Sequence, residues 1–175
     1  MYWASDRFVW IPFYLFLLLI LIKEFGKKTW FILLLVSLMI LVSDQVSSTI
    51  VKNAVHRLRP CHTPEIMDMV HLVNGVCGGT FGYFSSHASN TTALALFMIL
   101  LLRDGATAQF ALGYGFRVRR SVLFIFLAGY AVLVSYSRIY LGCHYPSDVF
   151  TGIAFGGLLS FIFAKIFFRF SGAKN

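Results

Sequence analysis

The sequence predicts an all-α bundle of membrane-spanning helices. Three observations carry that reading: charge is scarce, apolar runs recur at spanning length, and the cations collect in the gaps between the runs. Of 175 residues, 13% are charged and 58% hydrophobic, and the mean hydropathy is +0.77. A soluble domain carries about twice that charge fraction. Runs of about 20 apolar residues cross a bilayer as helix. The net charge of +8 is therefore read as topogenic and not as a nucleic-acid footprint. One domain over 1–175 is expected. No cleavable signal peptide is expected, because the first apolar run is followed by others and lacks a small-residue cleavage site.

The elements follow in order. Tyr2 and Trp3 are interfacial anchors ahead of a first span at 8–22, where Pro12 near the start is tolerable. Lys23-Glu24-Phe25-Gly26-Lys27-Lys28 reads as a tight basic turn. The second span, 29–51, ends in polar residues that include Ser43, Asp44, Ser47 and Ser48. Residues 52–86 form the longest stretch outside the spans, with short helices and an amphipathic piece near 65–73. Loops of this length tend to be functional. The third span is 87–102, polar in its first turns, and 103–120 reads as a loop ending in three arginines. The fourth and fifth spans are 121–136 and 149–168. Gly152, Gly156 and Gly157 suit close helix packing.

Five spans divide the cations unevenly. Ten of the fifteen fall on one side: Lys23, Lys27, Lys28, Arg103, Arg117, Arg119, Arg120, Lys165, Arg169 and Lys174. The positive-inside rule makes that side cytoplasmic. Arg7, Lys52, Arg57, Arg59 and Arg138 then lie on the periplasmic or outer side.

Three polar clusters share the outer side. The first, Lys52 to Pro60, places Lys52, His56 and Arg59 at i, i+4 and i+7, one helix face, with Pro60 ending the segment. The second, Phe84-Ser85-Ser86-His87, opens a helix, so its hydroxyls and backbone N–H groups suit an anion. The third runs from Ser137 to Asp148. There Arg138 offers a planar fork for a phosphate. Asp148, four residues past His144, is placed to hold one imidazole nitrogen and leave the other as nucleophile or base. On this stretch alone two readings stand: an oriented histidine beside an anion clamp, or a helix-end pair between Arg138 and Asp148 with His144 incidental. Together the clusters suit a phosphoryl group, with cations neutralising its oxygens and two histidines for attack and leaving-group protonation.

In order and spacing, Lys52-x6-Arg59-Pro60, Ser85-Ser86-His87 and Ser137-Arg138-x5-His144-x3-Asp148 resemble the three-part signature of the type 2 phosphatidic acid phosphatase superfamily. Among its members the resemblance is greatest to small bacterial membrane proteins described as undecaprenyl-diphosphatases. It implies His144 as the nucleophile of a phosphohistidine, Asp148 as its orienting carboxylate and His87 as the general acid. Lys52, Arg59, Ser85, Ser86 and Arg138 would hold the phosphate, with no metal and no cofactor. The family pattern has Pro-Ser-Gly-His where this chain has Phe84-Ser85-Ser86-His87, and six membrane helices where five are read here.

The expected reaction is removal of a terminal phosphate from a membrane lipid at the outer face of a bacterial cytoplasmic membrane. Undecaprenyl diphosphate is the first expectation; phosphatidylglycerophosphate, phosphatidic acid and lipid A 1-phosphate are the others. No nucleic acid and no obligate protein partner are expected. Another class stays open, a non-catalytic lipid or anion binder or transporter, which would need the cations but not a nucleophile held by Asp148. Haloperoxidases that use vanadate share the motif set but are soluble.

The remaining residues have plainer readings. Arg57 is assigned to lipid head groups, His56 lies outside the signature, and His62 and His71 are loop residues. Asp44 is expected in a buried polar network, sharing a face with Ser48 and Lys52. Cys61 and Cys77 either pair or stay free thiols, and without CxxC spacing they do not suggest a metal.

Overall fold

The computed structural model describes residues 1–75, 77–103, 109–113 and 116–172. Its elements are α1 (Tyr2–Ser5), α2 (Ile11–Phe25), α3 (Thr29–Asp44), α4 (Lys52–Val55), α5 (Ser86–Leu102), β1 (Gln109–Gly113), β2 (Phe116–Arg119), α6 (Arg120–Tyr140) and α7 (Pro146–Ser171). The five expected apolar helices are α2, α3, α5, α6 and α7. Large apolar side chains such as Trp30, Ile125, Phe150 and Phe170 stand on the outside of the bundle. A soluble protein rarely leaves so much apolar surface uncovered, whereas lipid-facing helices require it.

Helix α5 is the axis. It packs along α7 and α6, and α3 lies against both α5 and α7. The α5–α7 seam is made of small residues. A Cβ on Gly152 would meet the carbonyl oxygen of Ser85 at 2.6 Å, and one on Gly156 would collide with the carbonyl oxygen of Ser89. Ser160 continues the stripe and donates to the carbonyl of Ala93 at 3.0 Å. Gly157 meets only the edge of Leu96 in ordinary contact, so it lies outside the seam. Phe97, Phe167, Leu127, Ile32 and Met39 fill the core below.

Two expectations are corrected. The stretch 103–120 is not wholly loop: β1 and β2 form an antiparallel hairpin, with Phe110 opposite Val118. Residues 104–108 and 114–115 of that stretch, and Lys174, lie outside the described residues. The second span is not one regular helix. After Asp44 the backbone winds as a π-helix over Gln45–Val51 and tightens again into α4, which resets the face each residue presents.

The turn between α2 and α3 depends on Gly26, which closes α2 at φ 51°, ψ −123°, a backbone conformation that side chains avoid. At this end of the bundle Arg120 is buried. It donates to the carbonyl of Leu102, reaches Glu24 at 3.2 Å and lies over the Phe110 ring at 4.4 Å. The three polar clusters gather at the opposite end.

Candidate active site

Asp148 is the point where the clusters meet. It is the third residue of α7, after Pro146 at the first helical position, and its side chain is fully buried. Its Oδ2 accepts the Tyr145 N–H at 3.0 Å, capping the helix. Its Oδ1 accepts from Arg57 Nη1 at 2.9 Å. Its carbonyl accepts the Ser85 N–H at 3.0 Å. One residue thus joins the third cluster to the first through Arg57 and to the second through Ser85.

His144 is buried beside it. Its Nδ1 lies 3.6 Å from Asp148 Oδ2 and takes no hydrogen bond among the described residues. Its Nε2 lies 3.3 Å from Arg59 Nη1. An arginine can only donate, so Nε2 is the acceptor and the proton of the neutral ring belongs on Nδ1, facing the carboxylate. Burial, the largest cause, lowers the His144 pKa; the Asp148 contact raises it, and Arg59 and Arg138 lower it again. The ring is therefore neutral near pH 7, with a lone pair on Nε2.

Arg59 is held on several sides. It also donates to the carbonyl of Cys143 at 3.2 Å. Its N–H bonds to the carbonyl of Thr80, and the Gly82 N–H to the carbonyl of Arg57, around a bridge between Leu58 and Phe81. Gly78 and Gly82 lie on its side chain so closely that a Cβ at either would touch it, at 3.5 and 3.0 Å. Cys61 and Cys77 are paired as a disulfide, which fastens both strands of this small ladder next to Arg59. Arg138 closes the other side. Its carbonyl accepts the N–H groups of Cys143 and His144, and its Nε is buried without a partner.

The N-terminus of α5 completes the site. Ser85 caps the helix, accepting the Ala88 N–H at 3.4 Å, and is fully buried. Ser86 Oγ lies 2.6 Å from Ser47 Oγ and accepts from Lys52 Nζ at 3.2 Å. The hydroxyl that replaces the family's glycine is thus a partner of Lys52. His87 follows on the exposed side of the helix.

Sequence periodicity erred at two places. Lys52, His56 and Arg59 do not share a helix face: α4 ends at His56, which takes a left-handed conformation with its ring against Phe81, and Arg59 is extended. Pro60 disfavours helix at Arg59, and the chain leaves the helix earlier still. Ser48 does not face inward with Asp44 and Lys52. The π-turns bring Ser47 inward instead and leave Ser48 exposed. Asp44 does join a polar network, accepting from Asn90 Nδ2 at 2.9 Å.

The functional residue missed by the sequence reading is Arg57. It grips Asp148, donates to Ser147 Oγ at 2.7 Å and lies over the Tyr145 ring at 4.3 Å. The signal was present: Pro60 forces extended backbone, where residues two apart share a face, so Arg57 accompanies Arg59.

A cavity of about 550 Å³ runs from His87, Ser86 and Asn90 down between α2, α3, α5 and α6, past Leu17, Leu33 and Met98. Its walls are mostly apolar, which suits a lipid chain. A smaller cavity of about 230 Å³ opens at Arg138.

The family model described as the PAP2 superfamily matches residues 30–171. A lipid A 4'-phosphatase of Bacteroides thetaiotaomicron is 36% identical over 162 residues, which is 91% of this chain and 64% of that protein. The chain thus spans under two thirds of that relative's length. An undecaprenyl-diphosphatase of Sulfolobus acidocaldarius is 53% identical, over only 36 residues, 21% of this chain and 18% of that protein. The crystal structure of a transmembrane PAP2 type phosphatidylglycerolphosphate phosphatase from Bacillus subtilis superposes with a TM-score of 0.64 at 20% identity, covering 97% of this chain and 74% of that one. That likeness concerns the fold.

Proposed function

We propose that this chain, which belongs to the PAP2 superfamily, hydrolyses a phosphomonoester of a lipid A-type glycolipid through a phosphohistidine. The observation that carries the reading is His144, neutral and buried, between Asp148 at 3.6 Å and Arg59 at 3.3 Å. A binding protein needs the cations but not this arrangement.

In the first step Nε2 of His144 attacks phosphorus and the bond to the lipid oxygen breaks. His87 gives a proton to the departing alkoxide. Arg59 turns its donor from Nε2 to a phosphate oxygen, while Arg138, Lys52 and the N–H groups opening α5 take the rest. The imidazolium formed at His144 is stabilised by Asp148, as is usual for a carboxylate behind a catalytic histidine. In the second step water gives a proton to His87 and attacks phosphorus. The N–P bond breaks, and inorganic phosphate leaves. The cations supply the charge neutralisation, so the reading requires no metal.

The tail lies in the apolar cavity that begins at His87, between helices and in contact with lipid. The distribution of cations supports a site on the outer face of the cytoplasmic membrane. The extent of the likeness to a lipid A 4'-phosphatase favours that substrate over undecaprenyl diphosphate, whose support is a 36-residue match.

The test is phosphate release by purified protein in detergent with EDTA, wild type beside His144→Ala, on lipid A, phosphatidylglycerophosphate, phosphatidic acid and undecaprenyl diphosphate. Fast release from lipid A that survives EDTA and vanishes in the variant is expected. Faster release from undecaprenyl diphosphate would overturn the substrate. Release unchanged in the variant would overturn the mechanism, and none from any lipid with folded protein would favour a binder.

A further inference from the structure

The small cavity beside Arg138 has a composition that the phosphate cradle does not explain. Besides Arg138 it is lined by Cys77 and Gly78 of the disulfide-fastened loop, by Val73, Leu141 and Cys143, and by Tyr2, Ser5 and Asp6. Ser5 is fixed by a 2.6 Å hydrogen bond to Ser137, the residue before Arg138. Asp6 Oδ1 accepts the Phe8 N–H at 2.9 Å, and its Oδ2 takes no bond among the described residues. Ser5 also lines the large apolar cavity. Ser5 thus borders both cavities, and the small one adjoins the phosphate site through Arg138.

We propose that the small cavity is a headgroup subsite that takes a neutral, hydroxyl-bearing ring or polyol carrying the scissile phosphate, and that it discriminates against a second phosphate bonded directly to the first. This rests on the phosphatase reading above and names the substrate class of the same site. Size is the first argument. At about 230 Å³ it falls below the roughly 300–1,000 Å³ of drug-sized pockets and fits a single small ring or polyol. Chemistry is the second. A carboxylate oxygen, a serine hydroxyl and a phenol are acceptors and donors for hydroxyl groups. Charge is the third. Among the described lining residues the basic and acidic side chains are Arg138 and Asp6. Arg138 belongs to the scissile phosphate, so a second phosphate bonded directly to it would meet Asp6 and like charges would face each other. A site built to pair with hydroxyls also loses affinity for analogues without them, because its own polar groups then stay unpaired.

The experiment compares kcat/KM on four lipids for wild type and Asp6→Asn, with the full chain in detergent. Lipid A and phosphatidylglycerophosphate carry free hydroxyls next to the phosphate-bearing group. Phosphatidic acid carries none, and undecaprenyl diphosphate presents a second phosphate. Asparagine can still cap the Phe8 N–H, so the exchange removes charge and little else. The readout is the ratio of kcat/KM on the two hydroxyl-bearing phosphomonoesters, lipid A and phosphatidylglycerophosphate, to that on the diphosphate. A ratio is independent of how much of each preparation is folded. It is expected to fall about tenfold in the variant. An unchanged ratio, or a wild type that prefers phosphatidic acid or the diphosphate, overturns the subsite. Turnover of phosphatidylglycerophosphate but not lipid A would remove the lipid A reading and leave the subsite to stand or fall by the same ratio. No turnover of any lipid would remove both.

Discussion

Each end of the bundle holds an arginine against a carboxylate, and the two pairs are finished differently. At one end Arg120 has Glu24 at 3.2 Å, the Leu102 carbonyl and the face of Phe110. At the other, Asp148 is shared by Arg57, the Tyr145 N–H and His144. Lys52, Arg59 and Arg138 stand around it with no carboxylate partner among the described residues. Five buried side-chain polar atoms among the described residues lack a hydrogen bond, and three of them, Arg59 Nε, Arg138 Nε and His144 Nδ1, belong to this site. A buried charge without a partner is costly, so a folded protein keeps one where a ligand will satisfy it. The difference teaches how to tell a staple from a site: the staple uses its donors, and the site holds some back for an anion.

Four measurements break or sharpen that contrast. The largest effect is at the nucleophile. His144→Ala is expected to lower phosphate release by about a thousandfold or more, while Arg120→Ala leaves kcat/KM of the folded protein nearly unchanged and costs about 1–3 kcal/mol of stability, because the Leu102 carbonyl loses its charged donor. Retained turnover in the first, or lost turnover with full thermal stability in the second, would reverse the assignment of the two ends.

Next comes Arg138→Ala. Removing a charged donor from a bound phosphate costs about 1.5–3 kcal/mol, or roughly 10- to 100-fold in kcat/KM. The thermal midpoint of the unliganded protein is expected not to fall, since Arg138 Nε has no partner among the described residues. A fall like that of Arg120→Ala would make Arg138 another staple.

The Cys61–Cys77 disulfide comes third. It closes a loop of sequence separation 16, a size for which the chain-entropy model gives about 3 kcal/mol. Because it fastens the ladder around Arg59, reduction is expected to raise KM about three- to tenfold with a smaller change in kcat. Equal losses in both would mean that the loop acts on the chemistry itself.

The smallest effect is that of pH near neutrality. The His144 pKa is held below 6.5, so the nucleophile is neutral at pH 7 and protonates only as pH falls through its lowered value. The acid limb of kcat/KM is expected below pH 6.5, with less than about a twofold change between 7.5 and 6.5. A limb centred above 6.5 would show His144 protonating like an exposed histidine.

Much of the fold was legible because apolar length and charge placement act locally. The five helices and the α5–α7 glycine seam were read from them. The order and spacing of the motifs pointed to one site, and the geometry brings Asp148, His144, Arg59, Arg57, Ser85 and Ser86 together. What escaped was backbone that leaves the α-helical period. Seven residues of π-helix at Gln45–Val51 turn Ser47 inward in place of Ser48. One left-handed residue, His56, separates Lys52 from Arg59. Arg57 was passed over because the helical period was carried into extended backbone, where the period is two, and its grip on Asp148, 91 positions away, comes from tertiary folding. The pairing of Cys61 with Cys77 depends likewise on how the loop folds back on itself.

The small-residue seam has a further consequence, for the protein's response to its membrane. Helices adapt to a bilayer of the wrong thickness by tilting. Helix α5 has 17 residues and α7 has 26, so they cannot match one thickness equally well. They touch backbone to backbone, however, and are tied at the site by the Ser85–Asp148 bond. A change in bilayer thickness therefore tilts them as a unit. Ser85 and His87 on one, and Asp148 on the other with His144 just before it, move together. The spacing of those groups is thereby decoupled from the membrane that carries them.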